Sequence, residues 1–205
     1  MEGKVIYLTN VDRRFFMMRK ACSELKREGL VPAEYETLKV ESTSLWSRIW
    51  EKQLGDADLV VIRFMGTTIR TMFWDKCLAF FAAKSIPYYM DAAGSAEEEA
   101  RDGVSEADVE KIKQYSFYSG IKNYKNLWLF LQFITNKGGE MPAEPSAYCW
   151  AGIYHPGLPE LYTTDLIRYK KMFCKEDRPT VGMSFLQGRV DMGGFTVSEY
   201  VYSRM

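Results

Sequence analysis

Apolar and polar positions alternate along this chain in two different rhythms, and the rhythms take turns. Lys4 to Thr9 (KVIYLT) is a short apolar run of the kind that makes a buried strand. Phe15, Met18, Cys22 and Leu25 then recur at helical spacing, with Asn10 or Asp12 able to cap the start and Gly29 able to stop the end. Tyr35 to Val40 predicts a second strand. Trp46, Ile49, Trp50 and Leu54 predict a second helix that ends at Gly55 and is capped by Thr43 or Ser44. Asp58 to Met65 (DLVVIRFM) is the clearest strand, and its near-continuous apolar character fits a parallel strand covered on both faces. Gly66 breaks it, and Thr67 or Thr68 opens a strongly apolar helix from Ile69 to Lys84. Ile86 to Met90 is the fourth strand, with Pro87 placed at its start because proline has no backbone donor. The order strand, helix, strand, helix, strand, helix, strand implies right-handed crossovers and a parallel sheet. The expected architecture is α/β, a flavodoxin-like parallel sheet with helices on both faces.

Two more helices, Ser105 to Tyr118 and Lys122 to Asn136, meet at Gly120. Residues 138 to 146 (GGEMPAEPS) hold two glycines and two prolines and read as a linker, so the first α/β domain is expected over 1–137. Residues 147–205 read as the start of a second α/β domain. Its expected elements are a strand over Tyr148 to Tyr154, a helix over Pro159 to Lys175, a strand over Thr180 to Leu186 and a helix over Phe195 to Arg204. A parallel βα unit needs a returning strand. None follows the last helix, so the natural polypeptide is expected to continue, and the open sheet edge favours pairing with another copy, a homo-oligomer.

Composition removes several function classes. Lys+Arg and Asp+Glu both number 27, so there is no basic excess to neutralise nucleic-acid phosphates. An apolar fraction of 47% is enough for a real core. Between Asp91 and Glu110 eight acids face Arg101 alone, which reads as a solvated surface segment ahead of a docking surface. Cys22, Cys77, Cys149 and Cys174 form no CxxC pair, which fits reduced thiols and a cytoplasmic protein. No signal-peptide pattern and no apolar run long enough to span a membrane is present.

Candidate chemistry is sparse. Arg63 lies at the carboxyl end of the clearest strand, where ligands bind in open α/β sheets, and can pair with a ligand carboxylate or with an internal acid. Asp91 is the equivalent position on the next strand, either a ligand contact or a helix-capping carboxylate. His155, the one histidine, lies at a strand end before a turn, and has no HExxH or similar partner spacing. It reads as bonded to a turn carbonyl or as an acid, base or ligand. No GxGxxG follows the first strand and no GxxxxGK[ST] exists, so neither a dinucleotide fingerprint nor a phosphate loop is supported. The tryptophans can stack on a flat ring, but their helical spacing favours the core. No catalytic residue and no metal ligand is assigned.

Three stretches in this order carry a resemblance. They are residues 56 to 94, with an apolar strand ending in Arg63 and Gly66 and then IPYYM; residues 115 to 137, with Gly120, Asn123, Asn126, Leu127 and Leu131; and residues 151 to 194, with GIYHP at Gly152 to Pro156 and RPTVGMSF at Arg178 to Phe185. Together the chain resembles the N-terminal region of the cobaltochelatase large subunit (CobN type) and the magnesium chelatase large-subunit family. The resemblance covers roughly 56 to 194. It implies a tetrapyrrole substrate, cobalt or magnesium as the metal inserted, and ATP used through partner subunits, an AAA+ ATPase and a third chelatase subunit, working with the rest of the large subunit. Cobalt ranks ahead of magnesium. No cofactor is expected in this piece itself, which is not expected to act alone. Arg63, Gly66, Tyr154 and His155 match family positions and are the candidate ligand-binding residues. The alternative is a non-enzymatic flavodoxin-like binding or regulatory module, and a flavin enzyme on the same fold ranks third.

Overall fold

The protein is described from a computed structural model covering residues 3–41, 46–65, 73–93, 99–118, 120–136, 140–146, 152–155, 157–158 and 162–175. The chain divides into two compact units, Met1–Ser146 and Ala147–Met205. The first is built on β1 (Val5–Thr9), β2 (Glu36–Lys39), β3 (Leu59–Met65), β4 (Tyr88–Ala93) and β5 (Glu99–Asp102), with the sheet order β2-β1-β3-β4-β5. The first four strands are parallel, in the flavodoxin-like order. Every residue of β1 is buried, and so are the first six of β3, because helices cover both faces.

Alternation along the strands assigns the two faces. Val5, Tyr7, Leu59, Val61 and Tyr89 pack against α1 (Asp12–Arg27), α4 (Glu106–Tyr118) and α5 (Gly120–Asn136). Ile6, Leu8, Val60, Ile62, Phe64 and Met90 pack on the other side, against α2 (Arg48–Leu54) and α3 (Asp75–Lys84). The α1 helix buries Met17, Met18, Ala21, Cys22 and Leu25. It ends where Gly29 takes φ 70°, a left-handed conformation that lets Leu30 N–H reach the Leu25 carbonyl at 2.9 Å. The Trp128 indole N–H donates to the Met18 carbonyl at 2.9 Å and ties α5 to α1 through the core. Trp46, Trp50 and Trp74 belong to the opposite cluster, so these four tryptophans are packing residues; Trp150 lies outside the described residues.

Several expectations need correction. The acidic segment is not merely a solvated surface: Glu99–Asp102 pairs antiparallel with β4 as the edge strand. Three exposed charged residues out of four suit an edge, where charge discourages pairing with a foreign strand. Asn10 and Asp12 do not cap α1; its N-cap is Val11, which makes no side-chain cap bond. Residues 140–146 are not a loose tether. The Tyr115 hydroxyl donates to the Ala143 carbonyl at 2.7 Å, and Asn123 exchanges two bonds with the backbone of Ser146, at 2.9 and 3.0 Å. An ion pair of Lys111 with Glu144 fastens the same strap. In the second unit β6 (Ile153–Tyr154) pairs antiparallel with β7 (Tyr162–Thr163), and α6 is Leu166–Phe173. This helix starts later than its apolar spacing suggests because Asp165 caps it, accepting from Arg168 N–H at 2.8 Å. The α2 helix starts at Arg48 with Ser47 at its N-cap, making no side-chain cap bond, and not at the expected Thr43 or Ser44; the helix opening at Thr67 or Thr68 and the expected elements over 180–186 and 195–204 lie outside the described residues.

Candidate functional site

Parallel register places chemistry at the carboxyl ends of the strands. Thr9, Arg63 and Asp91 stand side by side across β1, β3 and β4, and Tyr7, Val61 and Tyr89 form the next row toward the amino ends. A period of two puts both rows on the face covered by α1 and α5. Arg63 and Asp91 form an ion pair whose side chains are only 11% and 13% exposed. Both readings of Arg63 met in the sequence are therefore still in view: it has an internal acid, and it has capacity left over. Among the described residues its Nε and Nη1 have no hydrogen-bond partner, nor has the buried hydroxyl of Tyr7, while the buried Tyr89 hydroxyl faces the Asp91 carboxylate without a well-formed hydrogen bond. A buried donor left unpaired costs about 1–3 kcal/mol.

Electrostatics at this end keeps the ionisable donors protonated. Burial works against the Arg63 charge, but Tyr7, Asp91 and Tyr89 around it more than offset that, and its pKa lies above the ordinary arginine value. Burial, reinforced by the Asp91 charge, holds the Tyr89 phenol well above the usual range, so its hydroxyl keeps its proton and can donate. Arg14 donates weakly from Nη1 to the Arg63 carbonyl at 3.5 Å. Arg13 and Arg14 also face the Tyr124 hydroxyl on α5.

The crevice between β1 and β3, where a flavodoxin-like sheet takes its ligand, is bridged by a side chain. Asn10 Nδ2 donates to the Met65 carbonyl and Asn10 Oδ1 accepts from Met65 N–H, both at 2.8 Å. Only Asn10 and Val11 separate β1 from α1, and neither is glycine. Among the described residues, the polar cluster on β3 and β4 is the candidate site on this face.

His155 belongs to the second unit. It is buried, stacked on Phe173 with ring centroids 3.7 Å apart, and edge-on to Tyr169 at 5.8 Å. Its Nδ1 accepts from Gly157 N–H at 3.0 Å, so the neutral ring carries its proton on Nε2. The turn bond at Nδ1 is to an N–H. A Cβ at position 157 would lie 3.1 Å from His155 Nδ1, so glycine permits this close approach. Burial lowers the His155 pKa. Gly66 and the side chain of Tyr154 lie outside the described residues. Among those residues no group of His, Cys, Asp and Glu could hold a metal, and no helix is long and apolar enough to cross a membrane.

Sequence reading reached Arg63 and Asp91 separately but missed Tyr7, Tyr89, Asn10 and Arg14. Each looks ordinary alone, a core tyrosine or a surface arginine. Only the strand register brings them together, although matching apolar runs with a residue of interest at the same distance from the run's end were a usable signal.

No protein-family model matches the sequence. The chain is 25% identical over 189 residues to the uncharacterized protein MJ0908 of Methanocaldococcus jannaschii, an alignment covering 89% of this chain and 15% of that protein. In structure it is similar to the catalytic subunit of cobaltochelatase from Mycobacterium tuberculosis, with a TM-score of 0.58 and 16% identity, over 97% of this chain and 15% of that one. The chain therefore spans about 15% of the length of either protein. At that identity the likeness concerns architecture: this chain has an α/β fold similar to part of a cobaltochelatase catalytic subunit.

Proposed function

We propose that this chain is the N-terminal head of the large subunit of an ATP-dependent tetrapyrrole metal chelatase, with cobalt insertion for cobalamin biosynthesis first and magnesium insertion next. The observation that carries the reading is the structural similarity to a cobaltochelatase catalytic subunit across 97% of the chain. The cluster at the carboxyl ends of β3 and β4 supports it. A tetrapyrrole of this class carries several carboxylate side arms, and Arg63 has unused, buried, cationic N–H donors. The role assigned to the head is to hold or gate the macrocycle. Metal delivery and ATP hydrolysis belong to the rest of the large subunit and to its partners, the AAA+ ATPase and a third subunit.

The test is reconstitution. A large subunit carrying this chain, with its ATPase partners, ATP, Co²⁺ and a tetrapyrrole, should show the visible-band shift of metal insertion. Arg63→Ala should lower the insertion rate about tenfold, the loss of one charged contact. Insertion at an unchanged rate by an assembly lacking residues 1–205 would instead favour the runner-up, a non-enzymatic binding module on the same fold.

A further inference from the structure

We propose that the carboxyl edge of β3 and β4 is a receiving site for one carboxylate group, with Arg63 and the hydroxyls of Tyr7 and Tyr89 as donors and Asp91 as the internal carboxylate that an incoming one displaces. Val61 stands between Tyr7 and Tyr89 in the row below Arg63. Both phenols lie close enough to act electrostatically on the Arg63 guanidinium. The resulting cluster is rich in donors and poor in acceptors. Arg63 Nε and Nη1 and the Tyr7 hydroxyl are buried without a partner among the described residues, the Tyr89 hydroxyl faces the Asp91 carboxylate without a well-formed hydrogen bond, and Asp91 Oδ2 is the one carboxylate oxygen on the guanidinium. Asp91 engages the guanidinium through one oxygen only, which leaves Arg63 Nε and Nη1 without an acceptor. A carboxylate supplies two oxygens in the plane a guanidinium prefers.

Access and charge agree with an exchange. Arg63 and Asp91 keep 11% and 13% of their side-chain surface, whereas Tyr7 and Tyr89 keep none of theirs, so the ion pair is where this cluster meets solvent. The incoming carboxylate replaces Asp91 on the guanidinium only as the Asp91 side chain turns toward solvent, since both together would put two like charges on one cation. The surrounding charges are mixed. Arg13 and Arg14 stand at the start of α1, and Glu99, which faces Tyr89 from β5, is itself paired with Lys113. That the carboxylate is a tetrapyrrole side arm rests on the proposed function. That a carboxylate binds here at all does not.

The experiment is a titration of the 205-residue chain with sodium propionate at constant ionic strength, read at the Arg63 Nε–Hε resonance by NMR, with sodium sulfate and sodium phosphate as separate arms. The expected result is a saturable shift with propionate that is absent in Arg63→Met. Asp91→Asn, which removes the internal competitor, should tighten binding about tenfold, and Tyr7→Phe/Tyr89→Phe should weaken it about threefold or more. The double phenylalanine variant keeps the core volume and decides the matter if Arg63→Met does not fold. No saturable shift, an equal response to sulfate (an adventitious ion only), or an Asp91→Asn variant that binds no tighter overturns the proposal. Failure here with metal insertion intact removes this site and leaves the chelatase reading standing. Propionate binding without metal insertion does the reverse.

Discussion

Arg63 and Asp91 show how a buried charge behaves when its partner is monodentate. Removing one member strands the other, so Arg63→Met or Asp91→Leu should destabilise the first unit by about 3–5 kcal/mol in urea unfolding, as a stranded buried charge does. The double variant Arg63→Met/Asp91→Leu should recover most of that loss and be as stable as the parent or more so, since packed apolar side chains can replace a buried pair without penalty. Equal destabilisation in the double variant would mean that the pair itself stabilises the fold. Arg63 was legible in the sequence because it interrupts an apolar run at the strand end. Its ion pair with Asp91 and its setting near Tyr7 and Tyr89 were not, because those are relations across 26 or more residues that only the register supplies.

Among the elements, α1 and α5 were legible because a helical stripe of apolar residues marks the buried face whatever the neighbour. Edge strand β5 was hidden because its four residues, EARD, carry no apolar signal and are recruited by the free edge of β4. The start of α4 is a local device that sequence does reveal: Ser105 Oγ accepts from Asp108 N–H at 3.1 Å and donates to its carboxylate at 2.6 Å. Ser105→Ala should cost about 1 kcal/mol, seen as a drop in Tm of about 2–8 °C. An unchanged Tm would show that water serves that helix end equally well.

Across the whole molecule, we propose that residues 1–146 form an independently folding domain. A chain cut after Ser146 should retain cooperative unfolding. A cut after 139 should lose about 2–4 kcal/mol, because Tyr115 and Asn123 then give up partners in buried surroundings. Equal stability of the two fragments would refute the role given to the strap. The second unit carries the molecule's one histidine, whose imidazole signals can be followed in NMR without ambiguity. Burial lowers the His155 pKa below the ordinary 6.5. The unfolded chain therefore takes up the proton first as pH falls. The contribution of His155 to stability should be complete above about pH 7.5 and should decline as pH drops through 6.5, by at most about 1.4 kcal/mol per pH unit for one proton. His155→Gln should flatten that decline, and an NMR midpoint above 6.5 would contradict it. By itself the sequence determined that this is an α/β chain with a parallel sheet buried on both faces, because hydrophobic period is a local property that each segment carries. Tertiary structure alone decided that β5 closes the edge, that residues 140–146 are strapped to α4 and α5, and that Arg63, Asp91, Tyr7 and Tyr89 share one face, because pairing and register are contacts between distant segments that no single segment encodes.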